Sequence, residues 1–141
     1  MEPVSQGAPT ARQRIPALLL VRGTGTGEDA HMTEVELAKR KCEACAPGTP
    51  PIEEARAAEL QAQLDPAWQR DGVLRLRREL SFRNFRDAYG FTAKLALLAE
   101  SEGHHPDLEL GWGRVAVTLT THAAGGLTDN DFILAAKVDR L

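Results

Sequence analysis

No second cysteine pair exists to complete a metal site: Cys42 and Cys45 are the chain's only two thiols. They form one Cys-x-x-Cys, and a zinc ribbon needs two. A redox motif of this spacing belongs at the start of a helix that follows a strand, and no strand pattern precedes this one. The expectation is ordinary reduced thiols in a cytosolic protein. A basic excess is also lacking. Lys and Arg number 17 against 20 Asp and Glu, for a formal net charge of −3. A nucleic-acid footprint normally needs the opposite sign, so no nucleic-acid partner is expected. Long hydrophobic runs are missing too. The apolar run of the N-terminal region, Ile15 to Val21, is interrupted by Pro16 and is far too short to span a membrane. Arg12 and Arg14 precede it as they would a secretory signal, yet no small-x-small cleavage site follows closely. The expectation is a cytoplasmic location and no membrane partner.

What is present is enough for one domain. The chain has 141 residues, of which 43% are hydrophobic, so a real core is possible. Residues 1–31 differ from the rest. They are rich in Gly, Pro, Thr and Ala, include Gly23-Thr24-Gly25-Thr26-Gly27, and their charges cancel. They read as a disordered extension, the product of an upstream start, or a cloning remnant. The folded domain is expected over 32–141. Within it, Arg70 to Arg86 is locally basic. That stretch reads as a solvated strand face, with attraction of an anionic ligand or partner as the alternative.

The order of elements follows from local signals. Thr33 to Cys45 can form a short helix, stopped by Pro47-Gly48-Thr49-Pro50-Pro51. Ile52 to Leu64 reads as a helix, with Glu53 and Glu54 favourable in its first turn. Trp68 begins a short strand, and Asp71-Gly72 is a two-residue hairpin signal. In the next strand Leu74, Leu76, Leu80 and Phe82 share one parity, with Arg78 the exception. Asn84 caps a long helix, with Asp87 completing a capping-box variant. Its core-facing stripe is expected to be Phe85, Ala88, Tyr89, Thr92, Leu95, Ala96 and Ala99, and Gly103 ends it. Pro106 to Leu110 and Arg114 to Thr121 form a hairpin around Gly111-Trp112-Gly113. Val115, Val117 and Leu119 face the core; His122 shares the opposite parity. Thr128 caps a last helix with Asp131 at its third position. The result is an α+β fold: a four-stranded antiparallel sheet with helices packed on one face, in the order αββαββα.

Three of the four histidines, His104, His105 and His122, fall on either side of this hairpin. The start of one strand lies beside the end of its antiparallel partner, so His122 should approach the His104-His105 pair. Imidazole is the side chain best suited to moving protons near neutral pH. The cluster therefore points to acid–base chemistry on a small molecule. Three histidines plus Asp131 could also make a metal site. Adjacent histidines on extended backbone point opposite ways, however, which argues against a shared ion. Asp131 has a structural reading as a helix-capping carboxylate and a functional one as the orienter of a histidine. Glu100 reads as a solvated helix residue, and Trp112 as a turn-packing aromatic or a stacking partner for substrate.

The ordered set Glu100-x-x-x-His104-His105-Pro106, Trp112, Thr121-His122 and Asp131 resembles the pterin-4a-carbinolamine dehydratase family. So do Trp68, Leu80-Ser81-Phe82-Arg83-Asn84-Phe85 and Gly125-Gly126-Leu127-Thr128, and the resemblance runs from about Met32 to Leu141. It implies a hydro-lyase that converts 4a-hydroxytetrahydropterin to quinonoid dihydropterin and water. The step would support tetrahydrobiopterin recycling behind an aromatic amino-acid hydroxylase. It implies no cofactor and no metal. On this resemblance His104 and His122 are expected to transfer protons and His105 to orient the pterin, with Glu100, Trp112 and Asp131 also at the substrate. A homodimer or homotetramer is expected. Leu108 and Ala123 stand where some members have an aromatic and often an acidic residue, which bears on substrate packing. The alternative is a non-catalytic dimerisation or binding module on the same fold, of the transcription-cofactor kind.

Overall fold

Asn84 and Gly103 mark the ends of the longest helix in the computed structural model, which describes residues 36–141. The expected N-terminal extension lies outside the described residues. The elements are α1 (Glu54–Gln61), β1 (Gln69–Asp71), β2 (Arg75–Ser81), α2 (Phe85–Glu102), β3 (Asp107–Gly111), β4 (Arg114–Leu119) and α3 (Asp129–Val138). A 3-10 turn, His122–Ala124, connects β4 towards α3. The four strands form one antiparallel sheet in the order β1-β2-β4-β3. The α+β class and the element order match the expectation.

One face of the sheet carries the core. Leu76 of β2 and Val115, Val117 and Leu119 of β4 are fully buried with Leu60 of α1, Leu95 of α2 and Phe132 and Leu134 of α3. Burying such side chains stabilises by about 2 kcal/mol each before ordering costs. The opposite face is charged. Arg77 reaches Glu109 across β4 at 3.1 Å, and Arg114 lies 3.7 Å from Glu79. Beneath them Ala116 is buried although it points away from the core, because its cross-strand neighbours are Glu79 and Glu109.

Arg78, the exception in the β2 alternation, has a reason to point inward. Its Nη1 donates to Asp139 Oδ1 at 2.6 Å. Asp139 also accepts from Trp68 Nε1 at 2.7 Å and from the Asp65 N–H at 3.0 Å. One carboxylate thus ties the end of α3 to β2 and to the turn before β1. Arg70 is likewise withdrawn from solvent, paired with Glu54 at 2.6 Å. Two arginines of the basic stretch are therefore anchors rather than part of a solvated face.

Four local expectations are corrected. Among the described residues of the proposed first helix, only 36–39 are helical. Beyond them Asn130 holds the chain open, accepting from the Glu43 N–H at 2.9 Å and donating to the Glu43 carbonyl. The β1–β2 turn spans residues 72–74, since Asp71 pairs with Arg75. Its Val73 carbonyl is taken by the Leu127 N–H at 2.7 Å, a tertiary bond that favours the longer turn. On α2, Ala88, Leu95 and Ala99 face the core as expected, but Phe85, Tyr89 and Ala96 are exposed. At its start Asn84 Oδ1 accepts from the Asp87 N–H at 2.8 Å, while the Asp87 side chain turns to Arg83 instead of completing a box.

Candidate active site

The hairpin places its histidines as the strand register dictates. Asp107 pairs with Thr118, so the residues before β3 and after β4 share one end of the sheet. His104 follows Gly103, whose left-handed φ of 64° turns the chain off α2. His104 and His105 then diverge. His104 points inward with its side chain 12% exposed; His105 points out with 63% exposed. The His105 Nε2 meets Glu100 Oε2 at 2.7 Å, one turn back on α2. His122 opens the 3-10 turn and its side chain is exposed.

Asp131 is the centre of the buried arrangement, with no exposed side-chain surface. Its Oδ1 lies 2.6 Å from His104 Nε2. Its Oδ2 accepts from the Thr128 N–H at 2.9 Å, within a capping box at the start of α3, and from Thr121 Oγ1 at 2.7 Å. Asp131 thus caps α3 through Oδ2 and contacts a histidine through Oδ1. A carboxylate only accepts hydrogen bonds, so the proton on His104 that faces it sits on Nε2. Neutral His104 then presents Nδ1 as a lone pair, a tautomer selected by its buried partner. The same logic gives His105 a proton on Nε2 facing Glu100.

Trp112 is not brought to this cluster. It occupies the β3–β4 turn and is 73% exposed. Five residues of β3 separate the two ends of the hairpin, about 17 Å at strand rise. Within one chain Trp112 therefore stands at the far end from the histidines. A surface cleft at the start of α2, lined by Phe82, Arg86, Tyr89, Phe91 and Lys94, also lies away from them. Among the described residues no three His, Cys, Asp or Glu side chains converge on a common point for an ion. No described helix is long and apolar enough to cross a membrane.

One member of the site stood in the resembling set but was given no role in the sequence reading. Thr121 is buried between Asp131 and Thr128, with its Oγ1 2.9 Å from Thr128 Oγ1. A threonine at a strand end looks ordinary; its place beside His122 in the resembling set is the sequence signal, and its burial between exposed His122 and half-buried Thr120 is the structural one.

The family model for pterin 4 alpha carbinolamine dehydratase matches residues 50–141. A Rubrobacter xylanophilus protein, provisionally named a pterin-4-alpha-carbinolamine dehydratase, is 46% identical over 106 residues, covering 75% of this chain and 98% of its own. An Alkaliphilus metalliredigens protein with the same provisional name is 44% identical over 104 residues, covering 74% and 94%. A Brucella melitensis crystal structure, described as a transcriptional coactivator/pterin dehydratase, superposes with a TM-score of 0.59. It is 37% identical and is matched over 64% of this chain and 96% of its own. The chain belongs to the pterin 4 alpha carbinolamine dehydratase family, a family of hydro-lyases.

Proposed function

We propose that this chain dehydrates 4a-hydroxytetrahydropterin to quinonoid dihydropterin by histidine acid–base catalysis. The observation that carries the reading is the His104–Asp131 contact, which takes up Nε2 and leaves Nδ1 as the nitrogen for proton transfer. In the step, an imidazolium gives its proton to the C4a hydroxyl and the C4a–O bond breaks. The N5 proton passes to a neutral imidazole, and the N5 electron pair forms the C4a–N5 double bond. Water leaves, and the two histidines have exchanged protonation states. The lone pair on Nδ1 favours His104 as the base, with exposed His122 as the acid. Each proton transfer contributes about 10²–10⁴-fold. His105, held by Glu100, orients the pterin.

The proposal includes a role behind an aromatic amino-acid hydroxylase, in tetrahydrobiopterin recycling. Self-association as a dimer or tetramer is part of the proposal. It is supported by Phe85, Tyr89 and Leu97, exposed at four- and eight-residue spacing along the outer side of α2. An apolar stripe of this kind commonly marks a protein contact. The test is turnover. Purified protein should accelerate the decay of freshly made 4a-hydroxytetrahydropterin, followed by ultraviolet absorbance. A decay rate equal to that of buffer would refute the activity, and sedimentation at monomer mass would refute the assembly.

A further inference from the structure

We infer that Thr121 is a positioning residue for the dehydration, one that fixes both proton-transfer histidines at once. The inference rests on the proposed roles of His104 and His122. Two connections meet in this residue. Its side chain acts on His104: Oγ1 donates to Asp131 Oδ2 at 2.7 Å, and Oδ1 of the same carboxylate holds His104 Nε2. Its backbone acts on His122, the next residue. The Thr121 N–H donates to the Gly126 carbonyl at 3.0 Å and its carbonyl accepts from the Gly126 N–H at 3.3 Å. That bridge anchors the turn on which His122 is carried.

The hydroxyl has a specific task. A carboxylate bound through one oxygen by the Thr128 N–H alone can still swing about that bond. A second donor on Oδ2 fixes the carboxylate plane and so the direction in which Oδ1 meets the imidazole. Thr121 has one proton to give. With that proton on Asp131, the contact to Thr128 Oγ1 is one in which Thr128 donates. Every polar atom of the buried Thr121–Thr128–Asp131 group then has a partner, which is the condition for a rigid network.

The test compares Thr121→Val, which keeps the shape and removes the hydroxyl, with Thr121→Ser, which keeps the hydroxyl. Thr121→Ala serves in place of valine if the valine variant does not fold. Steady-state dehydration and ¹⁵N NMR of the histidine rings are measured on each. The expected result is a kcat lowered about tenfold or more in the valine variant, the scale on which misplaced catalytic groups act. KM should stay within about twofold, and serine should restore most of kcat. The His104 Nε2–H signal should shift in the valine variant and return with serine. Equal kcat in the valine or alanine variant and wild type, or equal loss in serine and alanine, would overturn the inference. The NMR signal separates this from failure of the proposed activity. Inactive wild type with a Thr121-sensitive His104 signal would refute the activity and keep the positioning. Active wild type with an insensitive His104 signal would refute the positioning.

Discussion

Asp131 Oδ1 lies 2.6 Å from His104 Nε2 while the other oxygen of the same carboxylate caps α3. In the proposed mechanism, stability and chemistry therefore share one side chain. Asp131→Ala should lose both. The cap, and buried donors left without an acceptor, should cost about 2–3 kcal/mol. Asp131→Asn keeps much of the volume, yet its amide places an N–H donor against either His104 or the Oδ2 donors. Urea melts and turnover, measured together, check this. A variant of Asp131 with full stability and full activity would contradict the shared role.

The Arg78–Asp139 pair predicts a purely structural loss. Asp139→Ala removes the acceptor of Arg78, of Trp68 Nε1 and of the Asp65 N–H together. Breaking a largely buried pair from one side costs about 3 kcal/mol. The melting temperature should fall, while turnover per folded molecule at low temperature stays near wild type. Unchanged thermal stability would show that the staple contributes little.

Gly126→Ala tests the turn that carries His122. A Cβ at this position would lie 2.5 Å from the Val73 carbonyl oxygen and 3.1 Å from Pro51 Cβ. Both neighbours are held, since Val73 O accepts the Leu127 N–H and Ile52 donates to the Leu127 carbonyl. The strain should cost about 2 kcal/mol, roughly 10 °C of melting temperature for a domain of this size. Differential scanning calorimetry reads it directly.

Cys42 predicts an alkaline signature. Burial first, then the Glu102 carboxylate, pushes its thiol from an ordinary 9.0 up to about 12. The folded state therefore keeps a proton that the unfolded chain releases above pH 9. The stability from this thiol is complete below pH 9 and is lost as pH rises towards 12. Between pH 9 and 10.5 the stability of Cys42→Ala should fall less steeply than that of wild type. Folded wild type should also alkylate slowly at Cys42 near pH 8, because the thiolate is the reactive form. Parallel pH slopes in the two proteins would contradict this account.

The parts of the fold set by local chemistry were legible in the sequence. Asn84, Gly103 and the Thr128–Asp131 box announce helix ends, and Val115, Val117 and Leu119 announce a half-buried strand. Where tertiary bonds overrule local preference, the reading failed. Asn130 pulls Glu43 out of a helix from 87 positions away, and Leu127 lengthens the β1–β2 turn. On α2, periodicity found apolar residues but not their direction, because the helix is apolar on two sides. Phe85 and Tyr89 belong to the outer one. That the histidines share one end of the sheet was legible because a hairpin brings its two open ends together by geometry alone. The same geometry carries Trp112 to the closed end, which sequence proximity to His105 concealed.

The most direct test of the account is single-turnover dehydration by His104→Ala, His122→Ala and His105→Ala, each checked by circular dichroism. His104→Ala and His122→Ala should each lower the chemical rate by about 10²–10⁴-fold with native spectra, and His105→Ala should chiefly raise the half-saturating pterin concentration. Near-wild-type rates in folded His104→Ala and His122→Ala would contradict the proposal that these two imidazoles carry the protons.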